Sequence, residues 1–434
     1  MVILDYSAVE LRMWAVIAIE EFAIIQRNKL NYIHDDTMKL ESIRLKNFRT
    51  FKDAEMKGIP KFCILVGANG VGKSTIFGVF DFLKNLMSSN VNSALARIGG
   101  NRGFREVRSR GASGPIEIEL KFRENSKSPL ATYFLQIDER NGRAYVAREI
   151  LKYRRGSKGQ PWHFLDFADG KGSAVTNEMS VLDDKEISEN DLQRNNQTLK
   201  SNDILAIKGL AQFENFPVVR TLGDLIENWH ISDFHINKAR EEQTAGYAEH
   251  LSKEGENLSV VLQFLYDNHR EIFDRILKTM SERVPGVTSV TPKTTEEGKM
   301  LLKFSDGAFE DPFLARFVSD GTIKMLAYLV LLNDPSPHPL LCVEEPENQL
   351  YPELLEELAE EFRAYAGSGQ VMVSSHSPDF LNAAKIDEVF FLVKRDGYTS
   401  IRRAVDDEQL CAYVREGDKM GYLWKQGLFP GGLS

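Results

Sequence analysis

From Met38 the chain alternates. Leu40, Ile43, Leu45 and Phe48 stand apolar among charges in "MKLESIRLKNF", the two-residue period of a β-strand. A turn at Gly58-Ile59-Pro60 leads into "KFCILVG", a continuous apolar run that predicts a buried strand. After "ANGVGKST" the period becomes helical, with Ile76, Phe80, Leu83 and Met87 at i, i+4, i+7 and i+11. Alternating stretches between 115 and 165 ("PIEIELKF", "TYFLQID", "RAYVAREILKY") predict antiparallel strands. Residues 166–202 are polar and rich in Gly, Ser, Asn and Asp, and read as loop or linker. Residues 203–284 read as mainly helical and 287–305 as β. "DGTIKMLAYLVLL" (320–332) predicts a helix, and "PLLCVEE" a buried strand ending in acids. A helix over 353–366 carries Leu355, Leu358, Phe362 and Tyr365, with Gly367 as its C-cap. "QVMVSSHS" and "EVFFLV" read as two more buried strands. No internal repeat or sustained heptad pattern is visible, which excludes a long coiled coil.

Length and composition bound this picture. A chain of 434 residues, 42% hydrophobic and 27% charged, is a folded protein of two or three domains, or one domain with insertions. The net charge of −9 excludes a global polycation but leaves room for a local basic face. Three cysteines (Cys63, Cys342, Cys411) are too few and too scattered for a disulfide framework or a zinc site, so a reducing cytoplasm is the expected location. The apolar stretch "MWAVIAIEEFAII" is interrupted by Glu20 and Glu21, and is too short and charged to span a bilayer or serve as a signal segment. It reads either as an amphipathic docking helix or, more plainly, as part of an extension over 1–37 with no assigned function.

Four short segments carry chemistry. Gly67-Ala68-Asn69-Gly70-Val71-Gly72-Lys73-Ser74 fits G-x-x-x-x-G-K-[ST], between a buried strand and an amphipathic helix. Glycines there let backbone N–H groups cradle phosphates, Lys73 adds a charge at the β/γ oxygens, and the Ser74 hydroxyl suits Mg²⁺. A glycine turn followed by a lysine is the plainer alternative. Glu344 and Glu345 end a buried strand, where the first acid would hold the Mg²⁺ shell and the second would polarise an attacking water. Acids also favour a helix N-terminus, which accounts for Glu347 and Glu353 but not for two acids directly after a strand. His376 follows the strand at 370–374. Alone it reads as an ordinary surface or core residue; as the third element in this order it fits a γ-phosphate sensor. Ser319, Asp320 and Gly321 open a helix, as an ordinary N-cap or as an anion-binding terminus.

Taken together, "ANGVGKST", "FVSDGT", "EEPENQLYP" and "SSHSP" resemble, in that order, the ABC-type ATPase heads of SMC, RecF and OLD-like AAA family ATPases. The opening "IRLKNFRTFKDAEM" is similar to the start of such heads. The resemblance covers roughly 38–403. It implies an α/β P-loop NTPase with a two-lobed head, a mixed sheet and a helical insertion. The lobes would be 38–165 and 311–434, with a linker and mainly helical insertion over 166–310. It implies that Gly67 to Thr75 form the Walker A loop, with Asn69, Gly70, Gly72, Lys73, Ser74 and Thr75 on ATP. Ser74 and Glu344 would hold Mg²⁺, and Glu345 and His376 would act with Lys73 in catalysis. Ser319 and Gly321 would be the signature that completes a partner subunit's site. The chain departs from the pattern in having Glu344 where Asp is usual, in lacking the SMC coiled coil, and in lacking a Toprim-like acidic cluster after His376. Any nuclease would therefore be a separate subunit, and the resemblance implies a separate effector, a nuclease or toxin. Stand-alone heads of this kind resemble the ATPase subunits of bacterial anti-phage defence systems, Septu-type or retron-linked.

The resemblance implies a head-to-tail homodimer, or a higher homo-oligomer of heads, closed around two ATP molecules. Two basic stretches bear on nucleic acid: Arg97, Arg102, Arg105, Arg108 and Arg110; and Arg148, Lys152, Arg154, Arg155 and Lys158 with Tyr153 and Trp162. Cations interleaved with aromatics can grip a phosphate backbone, and a solvated face or intersubunit contact is the plain alternative. Two other functions stay open. One is an ATP-dependent assembly scaffold with little turnover. The other is a transporter's nucleotide-binding subunit, against which stand "VSDGT" in place of "LSGGQ" and the long insertion.

Overall fold

The computed structural model of the chain describes residues 37–154, 160–177 and 189–429. The extension over 1–36, Arg155 and Lys158 lie outside the described residues. β1 (Lys39–Phe48) and β2 (Phe51–Lys57) lead into β3 (Phe62–Val66), and helix α1 (Lys73–Ser88) follows the glycine loop, with α2 (Val91–Gly99) after it. Next come β4 (Ile116–Arg123), β5 (Ala131–Arg140), β6 (Arg143–Tyr153), β7 (Trp162–Ala168), β8 (Lys171–Val175) and β9 (Arg194–Thr198). Helices α3 (Ala206–Leu210) and α4 (Pro217–Glu227) precede β10 (His230–Ser232) and β11 (Gln243–Thr244). Then follow α5 (Leu258–Asn268), α6 (Arg270–Arg283), β12 (Val287–Thr294), β13 (Lys299–Asp306) and β14 (Phe313–Leu314). The chain continues through α7 (Asp320–Leu332), β15 (Leu340–Glu344), α8 (Glu353–Tyr365), β16 (Gln370–Ser375), β17 (Val389–Arg395) and β18 (Tyr398–Arg403), and ends in α9 (Glu408–Glu416) and α10 (Met420–Lys425).

These elements form a mixed α/β P-loop fold. The central sheet runs β10-β15-β16-β3-β17-β18, parallel except for β18. β3 and the central stretches 340–343, 371–373 and 389–393 of β15, β16 and β17 are unbroken apolar runs because both faces are covered. Cys63, Leu65, Cys342, Met372, Phe390 and Leu392 enter one core, and Phe62, Ile64, Val66, Leu341, Val343 and Val373 enter the other. The first core is shared with an antiparallel sheet ordered β2-β1-β4-β5-β6-β7-β8-β9. A buried amide links the sheets: Gln370 accepts from Leu40 N (2.9 Å), and its Nε2 donates to Leu40 O and Pro60 O (both 3.0 Å). A small sheet of β11, β13, β12 and β14 packs on the second core beside α5 and α6. Among the described residues no helix is long and apolar enough to cross a membrane.

The segment read as a loop over 166–202 departs from expectation. β7 and β8 join through Asp169 (φ 49°) and Gly170 (φ 77°), a two-residue hairpin whose positive φ at both positions suits Asp-Gly. β9 pairs with β8 at the sheet edge, and every residue of it is exposed. An edge strand exposed on both faces needs no apolar alternation, so periodicity alone does not reveal it.

Candidate functional site

Four neighbouring parallel strands deliver polar residues at their C-terminal ends. Asp233 follows β10, Glu344 ends β15, His376 follows β16, and Gly67 follows β3. Register places Glu344 beside Ser374 and Ser375 beside Val66, which lines up these ends along one edge. Ligands of open parallel sheets bind at this edge.

The glycine loop is bent as an anion cradle requires. Gly70 (φ 75°) and Gly72 (φ 108°) adopt left-handed backbone. A Cβ at Gly72 would meet Thr50 Oγ1 at 2.8 Å, whereas nothing lies within 4 Å of a Cβ at Gly70, so the loop is braced behind and open in front. Thr399 Oγ1 donates to Val71 O (2.7 Å) from behind. Gly72 is the N-cap of α1 and supplies no side-chain cap, so the first N–H groups of α1 remain available to an anion. Lys73 is buried, and its Nζ donates to Gly67 O (2.7 Å) and Ala68 O (3.4 Å). Burial draws its ammonium below the ordinary value, while Glu345, Glu347 and Glu344 push it back up.

The acids close the other side. Burial raises the Glu344 carboxyl above its ordinary value, against a hydrogen bond from Ser74. That contact joins two hard oxygen donors, the set a Mg²⁺ ion takes. Glu345 has a left-handed backbone (φ 40°), uncommon for a residue with a Cβ, held by its N–H donating to Ser374 O (3.0 Å). Its Oε2 accepts from Asn348 Nδ2 (2.9 Å), and its Oε1 stands 3.4 Å from His376 Nδ1. His376 is half-exposed, and its buried Nδ1 makes no hydrogen bond. Lys73, Ser74, Glu344, Glu345 and His376 therefore belong to one edge.

Ser319 and Gly321 approach it by another route. Ser319 is exposed, caps α7 by accepting from Thr322 N (3.2 Å), and bonds the Thr322 hydroxyl (2.8 Å). Gly321 packs on the segment after the acids, where a Cβ would lie 3.1 Å from Gln349 O. Two residues missed by sequence reasoning hold this region. Lys324, buried on α7, donates to Asn348 O (2.7 Å) and Glu345 O (3.5 Å). Burial draws its ammonium down to about 8, opposed by Glu347, Asp233 and Glu345. A lone lysine in an otherwise apolar helix was the signal. Glu347, read as a helix-terminal charge, is instead buried. Its Oε1 accepts from Ser375 Oγ (2.8 Å), His376 N (2.9 Å) and Ser377 N (3.2 Å), fixing the turn that carries the histidine.

The basic stretches divide. Arg108 and Arg110, with Arg49, Lys394, Tyr398 and Thr75, line a cavity of about 650 Å³ beside the glycine loop. Arg97 and Arg105 are bonded to Asn85 and Glu139. Arg148 pairs with Asp166 (2.8 Å), and Tyr153 is buried in a stack on Phe164 (4.0 Å), so its ring is not offered to a base. Lys152 and Arg154 line a cavity of about 700 Å³ with Lys121, Arg123 and Lys127.

The sequence profile of one protein family, described as "AAA domain, putative AbiEii toxin, Type IV TA system", matches residues 62–382. The chain belongs to this AAA family. The AAA match runs from β3, which feeds the glycine loop, to just past the turn carrying His376. No curated protein matches the AAA chain in sequence. Solved structures with some likeness include an SMC head bound to the C-winged helix domain of ScpA, at 14% identity and TM-score 0.49 over 84% of this chain and 97% of that one. An SMC head domain from Thermotoga maritima matches at 14% identity and TM-score 0.42, over 84% and 98%. An Smc head with an extended coiled coil from Pyrococcus furiosus, bound to the C-terminal domain of ScpA, matches at 14% and 0.45, over 87% and 100%. At these TM-scores the likeness fixes neither a partner nor an activity for the AAA chain.

Proposed function

We propose that the chain is an ATP-binding and hydrolysing switch of the cytoplasm that closes head-to-tail on a second copy. The observation that supports this reading is that one chain presents two unlike helix N-termini, the open glycine loop of 67–75 ahead of α1 and the exposed terminus of α7 at Ser319, each of a kind that suits an anion. ATP phosphates held by backbone N–H groups and Lys73 of one copy would meet Ser319 and the helix terminus at Gly321 of the other. Closure then depends on nucleotide, because its charge joins two electropositive ends. The cavity lined by Arg49, Arg108 and Tyr398 takes the nucleoside. Ser74 and Glu344 would hold Mg²⁺, which neutralises charge on the β/γ oxygens. Glu345 accepts the proton of the attacking water, and His376 steadies the γ-phosphate.

The family description names a toxin. That word describes the matched domain itself; in our reading, which rests instead on the motif resemblance, the switch governs a separate effector, a toxin or nuclease, in anti-phage defence or DNA processing. The cations around Lys152 would let nucleic acid act as trigger, which a steep fall of affinity with salt tests. The test of the switch is Glu345→Gln with ATP and Mg²⁺. Turnover falls by roughly a hundredfold or more, the loss expected of a missing general base, and light scattering shows doubled mass. Ser319→Arg, combined with it, returns the mass to one chain while ATP still binds. A Glu345→Gln protein that turns over at the wild-type rate overturns the assignment. A wild type that dimerises on ATP without turnover establishes the scaffold reading.

A further inference from the structure

The opposite edge of the central sheet also gathers chemistry. Three of the chain's eight histidines converge there, from distant parts of the sequence. His230 opens β10, His338 stands just before β15, and His250 lies between β11 and α5. Asp334 follows the C-terminal end of α7. One ring nitrogen each of His250 and His338 and one carboxylate oxygen of Asp334 lie within 4.8 Å of one another. This is the one such grouping of His, Cys, Asp and Glu among the described residues.

The hydrogen bonds around the group show which atoms are free. Asp334 Oδ1 accepts from Ser336 N (2.9 Å), which turns Oδ2 toward the histidines. His250 Nδ1 lies 2.7 Å from Oδ2, and His338 Nε2 lies 3.8 Å from it. His338 Nδ1 stands 3.2 Å from the Asn228 carbonyl. A carbonyl only accepts, so Nδ1 carries the proton, and Nε2 of the neutral ring is a bare lone pair. That Nε2 is buried and has no hydrogen-bond partner. The His230 ring stacks on His338 at 4.7 Å and 18°, fixing its plane. Buried acceptors are normally satisfied, and here the His338 Nε2 lone pair has no donor, while the carboxylate oxygen it faces is bonded to His250 Nδ1 (2.7 Å). A cation that takes the place of the proton between His250 and Asp334 satisfies the lone pair and keeps the carboxylate paired.

We propose that His250 Nδ1, His338 Nε2 and Asp334 Oδ2 bind a divalent first-row transition metal, Zn²⁺ foremost. Two imidazoles and a carboxylate are the donor set of such ions, unlike the all-oxygen pair of Ser74 and Glu344. The Asn228 carbonyl on the far nitrogen of His338 is the outer partner that orients a ligating imidazole. The fourth position opens on a cavity of about 680 Å³ that Lys84, Asp224 and Glu227 also line. His250 is half-exposed at its mouth, which provides a path for the ion. The ion ties the C-terminal end of α7 to the start of β15 and to the segment around His250. α7 has 13 residues, so Ser319 lies about 20 Å away at its other end. The site stands independently of the ATP reading.

The test uses the full chain stripped by a chelator and titrated with Co²⁺ under visible absorption. One Co²⁺ per chain is expected, displaced by Zn²⁺ and not by Mg²⁺. Asp334→Asn and His338→Ala each weaken Co²⁺ binding by about tenfold or more. Circular dichroism confirms that the variants fold. Should His338→Ala unfold, the nearly isosteric Asp334→Asn decides. The proposal is overturned if the wild type shows no saturable Co²⁺ binding below about 100 µM, or if Asp334→Asn binds as tightly as wild type.

Discussion

The two edges of the central sheet are built by different rules. At the C-terminal edge each contribution is a short contiguous run: the loop 67–75, the acids 344–347, and the turn 374–377. At the N-terminal edge single side chains arrive from positions 230, 250, 334 and 338. The difference follows from what does the binding. A phosphate is gripped largely by consecutive backbone N–H groups, so its site must be local in sequence and must contain glycine. A transition metal is gripped by side-chain tips, which the fold can bring from anywhere. The first kind of site therefore leaves a motif, and the second leaves only scattered residues.

The largest expected effect separates the edges. Lys73→Ala removes the cation that burial has already made ready to leave solvent. ATP affinity should fall by about a hundredfold, the loss of charge-assisted bonds to phosphate. Calorimetry with ATP measures it, and Co²⁺ binding should not change. In the converse experiment Asp334→Asn should leave ATP affinity within about twofold, because the groups stand at opposite ends of the strands. If either substitution moves both readouts, the edges act as one site.

A smaller effect probes how the C-terminal edge is held. Glu347 touches no predicted phosphate position, yet its carboxylate organises Ser375, His376 and Ser377. Glu347→Gln weakens three bonds that end on an anion. Turnover should fall by about tenfold while KM for ATP moves less than about twofold. A lower melting temperature with unchanged kcat would assign the residue to stability alone.

How much of this was legible follows the same division. The helix predicted over 320–332 coincides with α7, and the apolar runs at 62–66, 340–344, 370–375 and 389–395 are the parallel strands. Burial on both faces writes an unbroken apolar string, and helical period needs only one chain segment to be seen. β9 was hidden because an exposed edge strand carries no apolar period, whereas Asp169-Gly170 marked the turn from β7 into β8. Glu347 looked like a terminal charge because sequence records neither burial nor the direction of a carboxylate. Asp233 and Lys324 belong to no motif; they matter through residues distant in the chain. The cysteine count spoke only to thiolate zinc sites and passed over the histidines.

The smallest effect concerns the helix that spans both edges. Lys324 is buried on α7, and its ammonium titrates near 8 rather than 10.5 because burial penalises the charge. Between these values the folded chain binds fewer protons than the unfolded chain, so stability rises with pH in that window. From pH 8 to pH 9 this residue should add about 1 kcal/mol to the unfolding free energy. Lys324→Met keeps the volume and removes the titration, so this rise should vanish from urea unfolding compared at the two pH values. The same substitution leaves Asn348 O and Glu345 O without their donor, and turnover should drop several-fold as the acid segment loosens. A variant that retains the full rise would mean that Lys324 keeps its proton as a solvated lysine does, and that α7 is not held to the acid segment through its charge.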